Sequence, residues 1–105
     1  MMYCNFNYEY ITEGILKVEN VKEAKVIEGE DSVIIAIVTK PIFSKSEINK
    51  TVNAVRLTAE AICGKKAYVT RSMEVFCDII NIQNNVKNSP SYEKLLLKVT
   101  NDENI

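Results

Sequence analysis

The sequence predicts an α+β domain: a small three-stranded sheet in an αββαβ core, with helices packed on one face and additional helices at the C-terminus. Three observations predict it. Residues 33–38 read Val-Ile-Ile-Ala-Ile-Val behind a glycine-containing turn, the pattern of a hairpin arm buried on both sides. Ser44-Lys45-Ser46-Glu47 is a capping box in front of a long amphipathic stretch that Gly64 closes. Ala67-Tyr68-Val69-Thr70 is short and β-prone and runs directly into a further helix start at Ser72. With 105 residues, no linker and no repeat, residues 1–105 make one domain, which buries about 60–70% of its unfolded surface.

The first element is a helix over about 8–18. Tyr8, Ile11, Ile15 and Val18 recur at steps of three, four and three, one face of a helix. Gly14 weakens it by about 1 kcal/mol of propensity. Glu19-Asn20 ends it, and residues 21–24 lead into a strand over 24–28. Gly29-Glu30-Asp31 is the turn, and 32–39 is the second arm, with Val33, Ile35 and Ile37 on one face and Ile34, Ala36 and Val38 on the other. With helices on one side, the other side of this arm requires a cover, either a partner molecule or solvent against an aliphatic face.

The helix over 45–63 carries the best local signal. Ser44 is its N-cap, Glu47 reaches back from the third position, and Phe43 with Ile48 forms a hydrophobic staple. Ile48, Val52, Val55, Ala59 and Ile62 make its apolar stripe. Gly64 terminates it, and Lys65-Lys66 suit the negative end of its dipole. After the strand over 67–70, Ser72 caps a helix through Met73, Phe76, Ile79, Ile80 and Gln83. Asn84-Asn85 and Asn88-Ser89-Pro90 stop that helix, and Ser89 caps a last one with Pro90 in its first position and Leu95, Leu96 and Val99 as contacts. Residues 101–105 read as a disordered tail.

Composition narrows the chemistry. The 47% hydrophobic and 26% charged fractions are those of a globular domain, and 13 basic against 14 acidic residues create no field for nucleic acid. Histidine is absent, which removes the commonest general base and metal ligand. Cys4, Cys63 and Cys77 lack the number and spacing of a zinc or disulfide framework. Cys63 and Cys77 fall on apolar helical faces, where a thiol acts as a small hydrophobe. Glu28, Glu30 and Asp31 are a solvated turn without calcium-loop spacing. Gly64-Lys65-Lys66 lacks the remaining glycines and the Ser/Thr of a phosphate loop, and a single glycine is no G-x-x-G RNA-binding loop. Arg71 with the two lysines is a small basic patch, and Tyr8, Tyr10 and Tyr68 belong to the rim of the core. The expectation is no enzyme, no metal and no cofactor.

No stretch approaches the roughly 20 apolar residues of a membrane span. The first residues, Met1-Met2-Tyr3-Cys4-Asn5-Phe6-Asn7, have neither the basic nor the apolar region of a signal peptide, and no hydrophobic segment precedes Cys4. A cytoplasmic location is therefore expected.

Asn20-Val21-Lys22-Glu23-Ala24-Lys25-Val26, the apolar strand, the long helix and Ala67-Tyr68-Val69-Thr70 followed at once by a helix together resemble the YhcN/YlaJ-type sporulation proteins of spore-forming Firmicutes. Those domains open with a G-V-x-x-A-x-V element and close with a V-x-V-S/T strand leading into a helix begun by Asp-Pro. The resemblance covers about residues 15–82. Asn20 stands in place of the glycine and Ser72-Met73 in place of Asp-Pro. The element order is also similar to the ring-building motif of secretion and sporulation channel proteins. Both likenesses imply a domain that acts by association, and the first implies a link to the spore.

The function expected is thus non-catalytic protein–protein assembly, with a cytoplasmic small-molecule or nucleic-acid binding module as the alternative. The expected interaction surface is the free face and edge of the sheet: Lys25, Ile27, Val33, Ile35, Tyr68 and Thr70. An exposed edge is a template for pairing, so a homodimer through sheet face or edge is the expected assembly.

Overall fold

The computed structural model describes the backbone of residues 3–41 and 44–103 and the side chains of 10–41 and 44–100. Its elements are α1 (Tyr3–Leu16), β1 (Val21–Glu28), β2 (Ser32–Thr39), α2 (Lys45–Cys63), β3 (Lys66–Thr70), α3 (Met73–Gln83) and α4 (Tyr92–Glu103). The three strands form one sheet in the order β1-β2-β3. β1 and β2 are an antiparallel hairpin, and β2 and β3 are parallel. A parallel pair needs a crossover, and α2 supplies it.

β2 is the centre of the molecule. Val33, Ile35 and Ile37 meet Ile11, Ile15, Val55 and Ala59 in a core under α1 and α2. Ile34 and Ala36 meet Val75, Phe76, Ile79, Leu95 and Val99 in a second core under α3 and α4. Val33, Ile34 and Ile35 are each 0% exposed, and burial of such side chains contributes roughly 1.5–3 kcal/mol apiece. Helices α1 and α2 do lie on one face, as expected. The opposite face, however, is neither open nor left for a partner: the chain's own C-terminal helices cover it, which explains why β2 is apolar on both sides.

A bulge in β1 sets which residues reach the first core. Val21 pairs with Thr39 and Glu23 with Val38, so one residue is extra. Strict alternation would send Val21 to the face opposite Ala24 and Val26. The bulge returns all three to one core. Just before it, Asn20 has φ 75°, a left-handed conformation that asparagine tolerates better than most residues. The Asn20 carbonyl accepts the Lys40 N–H at 2.9 Å and closes the open end of the hairpin.

Caps fix the helices. Ser44 Oγ accepts the Glu47 N–H at 3.3 Å, and Gly64 ends α2 at φ 71°. The Phe43 half of the expected staple lies outside the described residues. Ser72 Oγ accepts the Val75 N–H and starts α3. The start of α4 differs from expectation. Ser91, not Ser89, is the cap, since its Oγ accepts the Lys94 N–H at 3.3 Å. Ser89 Oγ instead donates to the Val86 carbonyl, and Pro90 precedes the helix rather than opening it. α4 continues to Glu103, past residue 101 where a tail was expected, and α1 starts at Tyr3 rather than near Tyr8.

Polar contacts tie the outer helices down. Tyr92 Oη and Ser32 Oγ lie 2.6 Å apart, joining the start of α4 to the hairpin tip. Lys65 donates to the Glu28 carboxylate at 2.6 Å and to the Gly29 carbonyl at 2.9 Å. Lys98 on α4 bonds Glu74 and Asp78 on α3, each at 2.8 Å. These two carboxylates, Asp78 foremost, raise the Lys98 pKa above its usual value. Gly14 marks the close approach of α1 to α2, with Ile62 Cδ1 2.6 Å from where a Cβ would stand.

Candidate functional site

The six residues expected to form one surface do not. Val33 and Ile35 are fully buried beneath α1 and α2, and Ile27, 8% exposed, is buried beneath α3 and α4. Lys25 is half-buried on β1. Tyr68 and Thr70 lie on β3, with the whole of β2 between them and Lys25. A sheet sandwiched between two helix pairs has no free face, so only its edges remain.

The edge of β1 is obstructed. In the hairpin Gly29 donates to Ser32, and antiparallel alternation from that pair turns the N–H and C=O of Val26 outward. Gln83 Nε2 donates to that outward carbonyl at 2.8 Å. The bulge near Val21 and the charges of Lys22, Glu23 and Lys25 add to the block. These are the devices by which sheets avoid unwanted pairing.

The edge of β3 is different. Ala67 gives its N–H to Glu60 Oε2 at 3.0 Å, so Ala67 faces outward. Val69, two residues on, turns its N–H and C=O the same way. The register agrees independently: Ile35, partnered with Val69, has its own backbone groups directed at β3, and in a parallel pair these bond the residues on either side of Val69. The outward groups of Val69 open on a groove of about 440 Å³ lined by Asn49, Val52, Val69, Thr70, Arg71, Ser72 and Val99. Asn49 and Val52 are one wall, from α2, and Val99 is the other, from α4.

Charge is placed at both ends of this edge. Arg71 is exposed, and its Nη2 reaches Thr39 Oγ1 at 3.5 Å. At the other end Glu60 is held on Ala67 by Arg56, 3.4 Å away, which Asn53 steadies at 2.6 Å. Thr70 is buried, and its Oγ1 accepts the Ser72 N–H at 3.1 Å. The Lys66 ammonium stands 5.0 Å from the centre of the Tyr68 ring, a cation–π contact. A second hollow of about 310 Å³ lies between the α1–β1 turn and α2, where Glu19, Glu47 and Lys50 place exposed charges of both signs.

Val52 packs against the first core, as its place in the apolar stripe of α2 predicts, and also borders the groove. Arg71, expected in a small basic patch, lines the same groove. The thiols also divide: Cys63 packs against the first core, whereas Cys77 is exposed and not on an apolar face. Tyr10, at 69% exposure, is outside the core rim.

A family model described as Sporulation lipoprotein YhcN/YlaJ matches residues 7–99. The chain belongs to that family. No curated protein and no solved structure matches it. Asn20, where the resemblance places a glycine, has a left-handed backbone at φ 75°, a conformation that glycine adopts freely. Ser72, where it places an aspartate, caps α3 through its hydroxyl.

YhcN/YlaJ membership overturns the cytoplasmic expectation. The family is one of sporulation lipoproteins, that is, of proteins held at a membrane or spore structure by lipid. A globular fold carries no address, and the reading of the first residues was not a guide to location. No helix among the described residues is long and apolar enough to cross a membrane.

Proposed function

We propose that this domain is a non-catalytic association module of the sporulation process, and that it binds by adding an extended segment to the edge of β3. One observation carries this reading: the outward N–H and C=O of Val69 face a groove between α2 and α4. Strand addition uses such main-chain groups for affinity and the flanking pockets for selectivity.

Spacing favours a lone strand over a second copy of the chain. α2 packs directly on β3 on one face and α4 on the other. Joining two β3 edges would bring the flanking helices of the two copies to about the 4.7–4.9 Å that separates neighbouring strands, whereas packed helices need about 8–10 Å. A bare segment meets no such conflict. The spacing at β3 thus supports a lone extended segment over the homodimer through sheet face or edge.

The test uses the ¹⁵N-labelled domain and a blocked Thr-Val-Thr-Val-Thr peptide. Shifts in the amide spectrum confined to residues 67–71 and the facing walls of α2 and α4 are expected. The Val69→Pro variant removes the outward donor while sparing the β2 ladder, as proline at an edge strand does, and it is expected to fold and not respond. Shifts elsewhere, or an undiminished response from Val69→Pro, would overturn the proposal.

A further inference from the structure

The two ends of the β3 edge are chemically unlike, and we infer that the groove selects a lone extended segment bearing a carboxylate, which Arg71 receives, while Glu60 closes the opposite end. This inference rests on the strand-addition reading and specifies its partner.

At the Arg71 end the guanidinium is exposed, and among the described residues no carboxylate pairs with it. The same end holds the first turn of α3, whose dipole favours negative charge, with Glu74 and the Ser72 cap already meeting part of that demand. Ser72 and Asn49 add polar atoms to the groove there. An acidic side chain or a chain-terminal carboxylate on the incoming segment matches this end, and a lysine opposes it. Guanidinium with carboxylate is also a geometrically selective pair.

At the Glu60 end the outward donor is already taken. Ala67 gives its N–H to Glu60 Oε2, and Glu60 in turn is fixed by Arg56. An incoming carbonyl finds no donor there and meets a carboxylate instead. Pairing therefore begins at Val69 and runs toward Arg71. Between these ends Val52 is apolar and half-buried, whereas Val69 and Val99, 5% and 0% exposed, form the floor of the groove. The segment that fits is short and β-prone, apolar where it passes Val52, and acidic where it reaches Arg71.

Four blocked peptides test this by amide-shift titration: Asp-Val-Thr-Val-Thr, Thr-Val-Thr-Val-Asp and the two lysine counterparts. Both orders are included because strand direction is free. One aspartate peptide is expected to bind about 3- to 10-fold more tightly than its lysine counterpart, the range of one exposed ion pair with help from a helix end. Arg71→Glu is expected to invert that preference, and Glu60→Ala to extend the shifts to the Ala67 amide. If all four peptides shift the Val69 amide with equal affinity, strand addition stands and the carboxylate preference is wrong. If none shifts it, the strand-addition reading itself falls. Arg71→Gln, which keeps size and polarity, separates charge from folding: it should equalise the peptides without changing the melting temperature by more than a degree or two.

Discussion

Replacing Gly29 by alanine is predicted to destabilise the domain through a side chain sixty-odd residues away. A Cβ at position 29 would stand 2.6 Å from both Cε1 and Cζ of the Tyr92 ring and 3.0 Å from its hydroxyl. The backbone of Gly29 is not in the left-handed region, so alanine meets no conformational penalty of its own. By reducing the freedom of the unfolded chain, it would stabilise by about 0.4–1 kcal/mol. The ring cannot simply swing away, because its hydroxyl is held 2.6 Å from Ser32 Oγ and Ser32 is itself only 9% exposed. Forcing extra volume into such a site costs roughly 1–3 kcal/mol, and loss of the hydroxyl pair costs about 0.5–1.5 kcal/mol more. The net expectation for Gly29→Ala is a loss of about 1–3 kcal/mol, read as a fall in the urea midpoint at unchanged slope and a fall of about 4–8 °C in Tm per kcal/mol. The same substitution in a Tyr92→Leu background should cost little. Equal or greater stability of Gly29→Ala, or an unchanged cost without the tyrosine ring, would mean that Tyr92 does not confine position 29.

Gly14→Ala should act in the opposite direction. Its Cβ crowds the tip of Ile62, a side chain 42% exposed and free to turn, and makes ordinary contact with Thr58 Cγ2 at 3.5 Å, so the helix propensity of alanine wins and stability rises by up to ~1 kcal/mol in thermal denaturation. Gln83→Ala exposes the Val26 carbonyl and is expected to cost about 0.5–1.5 kcal/mol. Lys98 gives a pH signature. Its pKa is raised in the folded state by Asp78 and Glu74, so its contribution is fully present below the ordinary lysine value near 10.5 and is lost as pH rises through the higher folded value. Lys98→Met should flatten the loss of stability in that alkaline window, and an unchanged alkaline profile would count against the cluster.

Most of the fold was legible because its signals are local. The Ser44 box and Gly64 bracket α2 at Lys45–Cys63, and Ser72 opens α3 at Met73. The double-sided apolar arm placed β2 at the centre. What was not legible depended on tertiary placement. The apolar arm calls for a second cover but does not name its source, and the cover is α3 and α4, whose stripes at Val75, Ile79, Leu95 and Val99 fit any apolar surface. The bulge left a trace that alternation rules overlook: the step of three from Val21 to Ala24, followed by a step of two to Val26, is what one extra residue in a strand produces. Ser89 and Ser91 both offer a hydroxyl near Pro90, and sequence alone does not rank them. The expected surface failed for one reason. Val33 and Ile35 were judged by hydrophobicity, whereas accessibility was set by helices that arrive from distant parts of the chain. The groove beside β3 depends on Glu60, Val52, Arg71 and Val99, which meet only in the folded molecule.

Hydrogen exchange at three consecutive amides tests the open β3 edge most directly. Tyr68 and Thr70 direct their N–H groups to β2, and Val69 directs its own to the groove. Val69 is only 5% exposed, but its outward N–H needs no opening of the sheet. It is therefore expected to exchange faster than both neighbours, and a bound extended peptide is expected to slow it. Protection of Val69 equal to that of Tyr68 and Thr70 in the free domain would mean that the edge is already covered and unable to accept a strand.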